Sequence, residues 1–277
     1  MTGRTGADLI DHIERLVVSE GQLALWALGQ SGFVIKGGST IAYIDPYLSN
    51  SITEGGGPQR RFPIPLDPAT IIHAQIVFAT HDHSDHVDAA TLAPLLAASP
   101  KALLVTSPQG AKRMRDAGVS PERIVTPKLG EQNEIMGLAY RSIPAAHYDF
   151  TVDPEGRSTW QGFLITCNGV TLYHSGDTMI IPELLAALQG ASIDLALLPY
   201  NGRDYFREEQ AIVGNMWPRE VVQLAQRIHA RVLIGIHNDL FAGNRINPGL
   251  LFDALDHYAP WQRCHILQPG ELYLYAG

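Results

Sequence analysis

The hexapeptide HDHSDH, residues 81–86, follows directly on the apolar run IVFAT, residues 76–80. An uninterrupted run of that kind reads as a strand buried on both faces, so the hexapeptide stands where a buried strand stops. Three imidazoles and two carboxylates in six positions cannot simply continue into a core, because each buried polar group needs a partner. The fold must bring that strand end either to solvent, as a capped helix start carrying surface histidines, or to a cation.

Four further polar residues follow apolar runs in the same way. Asp45 comes after TIAYI, His147 after AYRSIPAA, Asp177 after TLYHSG and His237 after RVLIGI. Strand ends in an α/β core converge, and ligands bind there. This set favours the cation over the decorated helix start. Imidazole and carboxylate together suit zinc, manganese or iron. The two cysteines, Cys167 and Cys264, form no CxxC pair, which argues against a thiolate zinc site or a disulfide framework.

The remaining pattern is α/β. LALWAL (23–28), FVIK (33–36), TIAYID (40–45), LLVTS (103–107), AYRSIPAAH (139–147), LALLPY (195–200) and RVLIGIH (231–237) read as strands. GFLITCNGVTLYHSGD (162–177) reads as a hairpin turning on Asn168-Gly169, and HILQPGELYLYAG as a terminal hairpin. TLAPLLAA (91–98), PQGAKRMRDAG with its stop at Gly118, PREVVQLAQRI (218–228) and PGLLFDALDHY (248–258) read as helices. Leu9, Ile10, Ile13, Leu16 and Val17 recur at helical spacing, with Thr5 and Asp8 placed for a capping box. Residues 49–68 are a long Gly- and Pro-rich loop. We expect one domain over 1–277, with residues 1–21 as an N-terminal helix packed on it. A net charge of −8 and the absence of a basic arm argue against nucleic-acid binding. No apolar stretch reaches a membrane span and the N-terminus lacks signal-peptide character, so the expected partners are small molecules and the expected location cytoplasmic.

The pattern His81-x-His83-x-Asp85-His86, preceded by Asp45 and followed by His147, Asp177 and His237, resembles the metallo-β-lactamase superfamily. The resemblance implies a four-layer αββα sandwich with a two-metal site between the sheets. It assigns His81, His83, His147 and Asp177 to one ion, and Asp85, His86, Asp177 and His237 to the other. Asp45 would orient a ligand from behind, and His174, just before Ser175-Gly176-Asp177, is expected to do the same. LGQSGFVIK, DPYLSN, RRFPIPLDP, ATHDHSDHVD, YHSGDT, LPYNGRDYF, IVGNM and HNDLFAGNRINP are together similar to the branch that contains L-ascorbate-6-phosphate lactonase. That narrower resemblance implies hydrolysis of a sugar-acid lactone, often with manganese, by a homo-oligomer.

The expected chemistry follows from the ligand set. Two divalent ions, manganese or zinc with iron as a further candidate, make hydroxide available near neutral pH and polarise a carbonyl. Asp85 and Asp177 are the candidates for handling the proton. Tyr200, Asn201 and Arg203 in LPYNGRDYF, together with Tyr148 beside His147, are the expected substrate contacts, Arg203 as a planar fork for an anion. A phosphodiesterase of the same superfamily and a non-catalytic metal-binding sensor are the competing functions.

Overall fold

The structure is a computed structural model and describes residues 3–147, 149–210 and 212–277. In chain order the strands are β1 (Leu23–Gly29), β2 (Gly32–Gly37), β3 (Thr40–Ile44), β4 (Ile76–Ala79), β5 (Leu103–Thr106), β6 (Ile124–Val125), β7 (Gln132–Ile135), β8 (Leu138–Pro144), β9 (Gln161–Cys167), β10 (Val170–His174), β11 (Leu195–Pro199), β12 (Val232–Ile236), β13 (Arg263–His265) and β14 (Leu272–Tyr275). The helices are α1 (Gly6–Arg15), α2 (Ser51–Glu54), α3 (Ala89–Ala98), α4 (Pro108–Asp116), α5 (Pro182–Leu188), α6 (Tyr205–Glu209), α7 (Pro218–Arg227) and α8 (Gly249–Tyr258).

Two seven-stranded sheets run β14-β1-β2-β3-β4-β5-β6 and β13-β12-β11-β10-β9-β8-β7. Each is antiparallel on one side and parallel on the other: β3 to β6 run parallel in the first, β10 to β13 in the second. Period-two alternation explains the layering. Along β1, Leu23, Leu25 and Ala27 join a core shared with Leu172, Leu197 and Ile234 of the second sheet. Their neighbours Ala24, Trp26 and Leu28 join a separate core with Leu9 and Ile13 of α1 and Leu92 and Leu95 of α3. A third core sets the outer face of the second sheet against Leu184, Val221, Val222 and Leu251 from α5, α7 and α8. The layers are therefore helix, sheet, sheet, helix. Burying each such leucine or valine contributes about 1.5–3 kcal/mol relative to exposure, which is why uninterrupted apolar runs mark the central strands.

Helix α1 docks through polar contacts as well. Trp26 donates to His12 Nδ1 at 3.2 Å, and the buried Lys36 Nζ donates to the carbonyls of Ile13 and Glu14 at 2.7 and 2.8 Å. A cation on the last carbonyls of a helix satisfies groups that have no intrahelical partner and complements the dipole. The expected capping box is not formed. Thr5 makes no side-chain cap hydrogen bond, and Asp8 pairs instead with Arg4 at 2.7 and 2.8 Å.

The Asn168-Gly169 turn forms with both residues at positive φ, 54° and 81°, as a type I′ hairpin requires. The terminal hairpin does not form. β13 pairs with β12 in the second sheet and β14 with β1 in the first, so the last segment crosses between sheets. The chain does turn at Pro269-Gly270, but the two strands on either side pair with different partners. Among the described residues no helix is long and apolar enough to cross a membrane.

Candidate metal centre

The ends of β3, β4, β8, β10 and β12 meet at one edge of the sandwich. After β4 the chain tightens into a turn in which the His83 carbonyl accepts from both His86 N–H and Val87 N–H, at 3.0 and 2.8 Å. Asp88 then caps α3. This turn, rather than a helix, lets alternate side chains of HDHSDH diverge.

Two groups of ligand atoms result. His81, His83, His147 and Asp177 form one, and Asp85, His86 and His237 the other; within each, the atoms lie within 4.8 Å of one another. Asp177 joins them. Its Oδ2 is 3.3 Å from His147 Nε2 and 3.1 Å from His237 Nε2, and its Oδ1 is 3.5 Å from His86 Nε2. Asp85 Oδ2 lies 3.3 Å from His237 Nε2. Glycine sets the approach of Asp177: Gly176 has φ 61°, and a Cβ there would come within 2.8 Å of Thr80 Cβ.

The residues fit a metal pair on their own hydrogen bonding. His86 Nδ1 donates to Asp45 Oδ2 at 2.7 Å and His147 Nδ1 to the Gly214 carbonyl at 3.1 Å, while His81 Nδ1 meets Thr80 Oγ1 at 3.0 Å. The opposite nitrogens, Nε2 of His81, His86 and His147, are buried without a hydrogen-bond partner, as is Asp177 Oδ1. Orphaned buried polar atoms are rare and call for an explanation. Here they face one another, with their outer nitrogens already pinned by partners, as metal-binding imidazoles are. Neither cysteine takes part: Cys167 Sγ lies against the Gly37 carbonyl, and Cys264 is in the outer core.

Electrostatics say the same. Burial would depress the basicity of His86 and His237, but Asp177, Asp85 and, for His86, Asp45 outweigh it. His86 is raised well above the usual imidazole value and His237 is pushed up to about 9. His81 is held well below that value, first by burial and then by His86. Burial would raise the Asp177 and Asp85 carboxyls, yet the neighbouring imidazoles hold both below the ordinary range. The protein alone thus concentrates ionised carboxylates and holds protons where cations would relieve them.

Asp45 and His174 support the site from behind. Asp45 accepts from Thr80 N–H and Thr80 Oγ1, both at 2.8 Å, as well as from His86. His174 Nε2 donates to the Ser31 carbonyl at 2.9 Å, and its Nδ1 accepts from Gly176 N–H at 3.2 Å, fixing the turn before Asp177. Asp45, at φ 43°, and His237, at φ 60°, both hold left-handed backbone, a conformation that side-chain-bearing residues adopt only when their surroundings enforce it.

The expected substrate contacts lie elsewhere. Arg203 forms a fork-to-fork pair with Glu220 at 2.7 and 2.9 Å and also donates to the Asn215 carbonyl at 2.9 Å, so its guanidinium is committed within the structure. Tyr200 is buried in the outer core, its ring lying against Gly235. Asn201 is buried and acts at one remove: its Nδ2 donates to Asn244 Oδ1 at 2.6 Å. Tyr148 lies outside the described residues. The residues that do line the cavity beside the ligands, about 630 Å³ in volume, include Ile52, Pro58, Ile212, Val213 and Phe241, with Ser84, Gln210 and Asn244 as polar members. Ile52 and Pro58 belong to the 49–68 loop, which Arg60 braces by donating to the Tyr47 and Ser49 carbonyls. Trp160 was missed by sequence reasoning. Its ring lies 4.8–4.9 Å from those of His81, His83 and His147 and walls the first ligand group.

Two facing mixed sheets between helices, with a histidine–carboxylate cluster at their strand ends, define a metallo-hydrolase. The chain belongs to the β-lactamase superfamily, whose domain model matches residues 40–238. It is 25% identical to a probable L-ascorbate-6-phosphate lactonase of Salmonella choleraesuis (strain SC-B67), a match covering 88% of this chain and 77% of that protein. Among solved structures it resembles an isothiocyanate hydrolase from Delia radicum gut bacteria, with a TM-score of 0.71 at 17% identity, covering 90% of this chain and 98% of that one. It also resembles Igni18, a metallo hydrolase of Ignicoccus hospitalis, with a TM-score of 0.68 at 18% identity, covering 92% and 98%. At those identities the structural likenesses speak for the fold alone.

Proposed function

We propose that the protein opens the lactone of a small sugar acid that carries no phosphate. The observation that carries this reading is the convergence of seven candidate ligand side chains, three of them with orphaned Nε2 atoms and four of them (His83, Asp85, Asp177 and His237) lining the adjoining cavity. His81, His83, His147 and Asp177 would hold one divalent ion, and Asp85, His86, His237 and Asp177 the second. Such a pair, when bound, acidifies water and polarises an ester carbonyl.

The chain's own residues supply the rest. Asp85 and Asp177 line the cavity as ionised carboxylates and are placed to accept the proton released on attack. Asn244 Oδ1 is occupied by Asn201, which leaves Nδ2 as the donor available to a substrate hydroxyl. Ile52, Ile212, Val213 and Phe241 supply the apolar wall that limits water around the ring. No lysine or arginine belongs to the described cavity lining, and Arg203 is engaged with Glu220. An uncharged acyl substrate therefore suits the cavity better than a phosphorylated lactone or a phosphodiester. The lactone itself is supported by the 25% identity to the probable lactonase.

The test is a panel of sugar-acid γ- and δ-lactones, one phosphorylated lactone and bis(4-nitrophenyl) phosphate, assayed after manganese or zinc loading. Turnover of unphosphorylated lactones, absent in His83→Ala, is expected. Turnover confined to the phosphodiester or the phosphorylated lactone would reject this reading.

A further inference from the structure

Gln30 lies in the LGQSGF turn between β1 and β2 with φ 56°, left-handed backbone that favours glycine or asparagine over glutamine. Two backbone hydrogen bonds hold it there. Gln30 N–H donates to Asp239 Oδ1 at 2.8 Å, and the Gln30 carbonyl accepts from His237 N–H at 2.9 Å. This directs a buried side chain into the second ligand group. Its Nε2 donates to Asp85 Oδ2 at 2.8 Å and lies 2.9 Å from His237 Nε2.

Ligand atoms that share one divalent ion at roughly 2.1 Å stand about 3.0–3.4 Å apart. Asp85 Oδ2 and His237 Nε2 are 3.3 Å apart, and the Gln30 amide closes a triangle whose other two sides, 2.8 and 2.9 Å, fall just short of that range. The two ends of a side-chain amide have the same shape, and which end faces a site is decided by its partners. Where both partners direct lone pairs at a cation, the carbonyl oxygen belongs beside them, because an NH2 group would turn its positive end toward the ion. We propose that Gln30 is a further ligand of the second ion through Oε1, alongside Asp85, His86, His237 and Asp177; this rests on the two-ion reading above. A neutral oxygen raises the coordination number and biases that position toward hard ions such as manganese. The rival role is that of a hydrogen-bond donor that merely positions Asp85.

The two roles part company in one pair of variants. Gln30→Gly removes the amide and suits the left-handed backbone. Gln30→Glu puts a charged oxygen in its place. The full chain, stripped of metal, is titrated with Mn2+ by calorimetry, with paramagnetic resonance reporting the spin-coupled pair and circular dichroism reporting the fold. For Gln30→Gly the second dissociation constant is expected to weaken by more than the roughly 10–100-fold that loss of an outer partner costs, with the first unchanged. For Gln30→Glu the second is expected to tighten by about tenfold, since ligand charge sets affinity. A mere donor gives the opposite result in Gln30→Glu, because a carboxylate would face Asp85. Weaker second-site binding in Gln30→Glu, or unchanged binding in Gln30→Gly, overturns the assignment alone; if Gln30→Gly fails to fold, Gln30→Glu decides. Wild-type protein that binds fewer than two ions overturns the two-ion reading and this assignment together.

Discussion

The two halves of the ligand cluster share Asp177 and differ in almost everything else. The first half is nitrogen-rich: three imidazoles, from His81, His83 and His147, are walled by the Trp160 ring. The second has one imidazole fewer and a carboxylate of its own, with Asp85 beside His86 and His237, Asp45 behind His86, and the Gln30 amide at its edge. Imidazole nitrogens suit zinc and similar ions, whereas carboxylate and amide oxygens suit harder ones. The two positions are therefore not interchangeable, and their differences can be probed one at a time.

The largest expected effect is that of His83→Ala, which removes one of the three imidazoles proposed as ligands in the nitrogen-rich half. Turnover should fall by roughly 10³-fold or more, beyond the 10–100-fold that loss of an outer partner costs. Elemental analysis should show one equivalent of metal lost while circular dichroism is unchanged; retained turnover in metal-free variant would break the comparison at its root. Chelation of both ions comes next. At ligand concentrations about a hundredfold above Kd, binding stabilises the folded protein by about 2.7 kcal/mol, so chelator should lower the melting temperature by several degrees, and readdition should restore it. An unchanged melting curve would mean that neither half holds an ion.

Asp45→Asn should act on one half only. It removes the carboxylate that fixes His86 and is expected to weaken second-ion affinity by about 10–100-fold, leaving the first in place. Equal loss at both positions would show that Asp45 supports the whole turn rather than one imidazole. Trp160→Leu is expected to cost the nitrogen-rich half only its ring contacts, worth about 0.5–1.5 kcal/mol in all, read as a modest fall in first-ion affinity. The smallest effect is assigned to Arg203→Met. Its fork holds Glu220, so stability should fall by roughly 1 kcal/mol, and KM for an uncharged lactone should stay the same. A tenfold rise in KM would return Arg203 to the substrate.

The same contrast separates what the sequence makes legible from what it hides. Asp45, His81, His83, Asp85, His86, His147, Asp177 and His237 each follow an apolar run, and local periodicity is enough to put them at strand ends. Their convergence then follows from the way parallel strands align. The parts that sequence hides are set by how the two sheets face each other. Trp160 reaches the imidazoles from the start of β9 with no pattern in its neighbourhood to mark it. Tyr200 follows β11 as closely as His237 follows β12, and Asn201 comes one residue later, yet neither lines the cavity. Position after a strand thus indicates nearness to the site but not which way a side chain turns. Gln30 did leave a trace: a long amide between Gly29 and Ser31-Gly32, in a turn that the backbone would prefer to fill with glycine or asparagine.

The crossing of the final segment from β13 in one sheet to β14 in the other has a consequence for synthesis. β1 is flanked by β2 and β14, and β14 leaves the ribosome about 240 residues after β1. At about 5–20 residues per second, the hydrogen-bonding side of β1 meant for β14 waits on the order of 10–50 s without its partner. During that interval the nascent chain presents an open, apolar strand edge, the kind of template on which unrelated chains stick. Until β14 is made, that side of β1 is the unprotected edge of the first sheet.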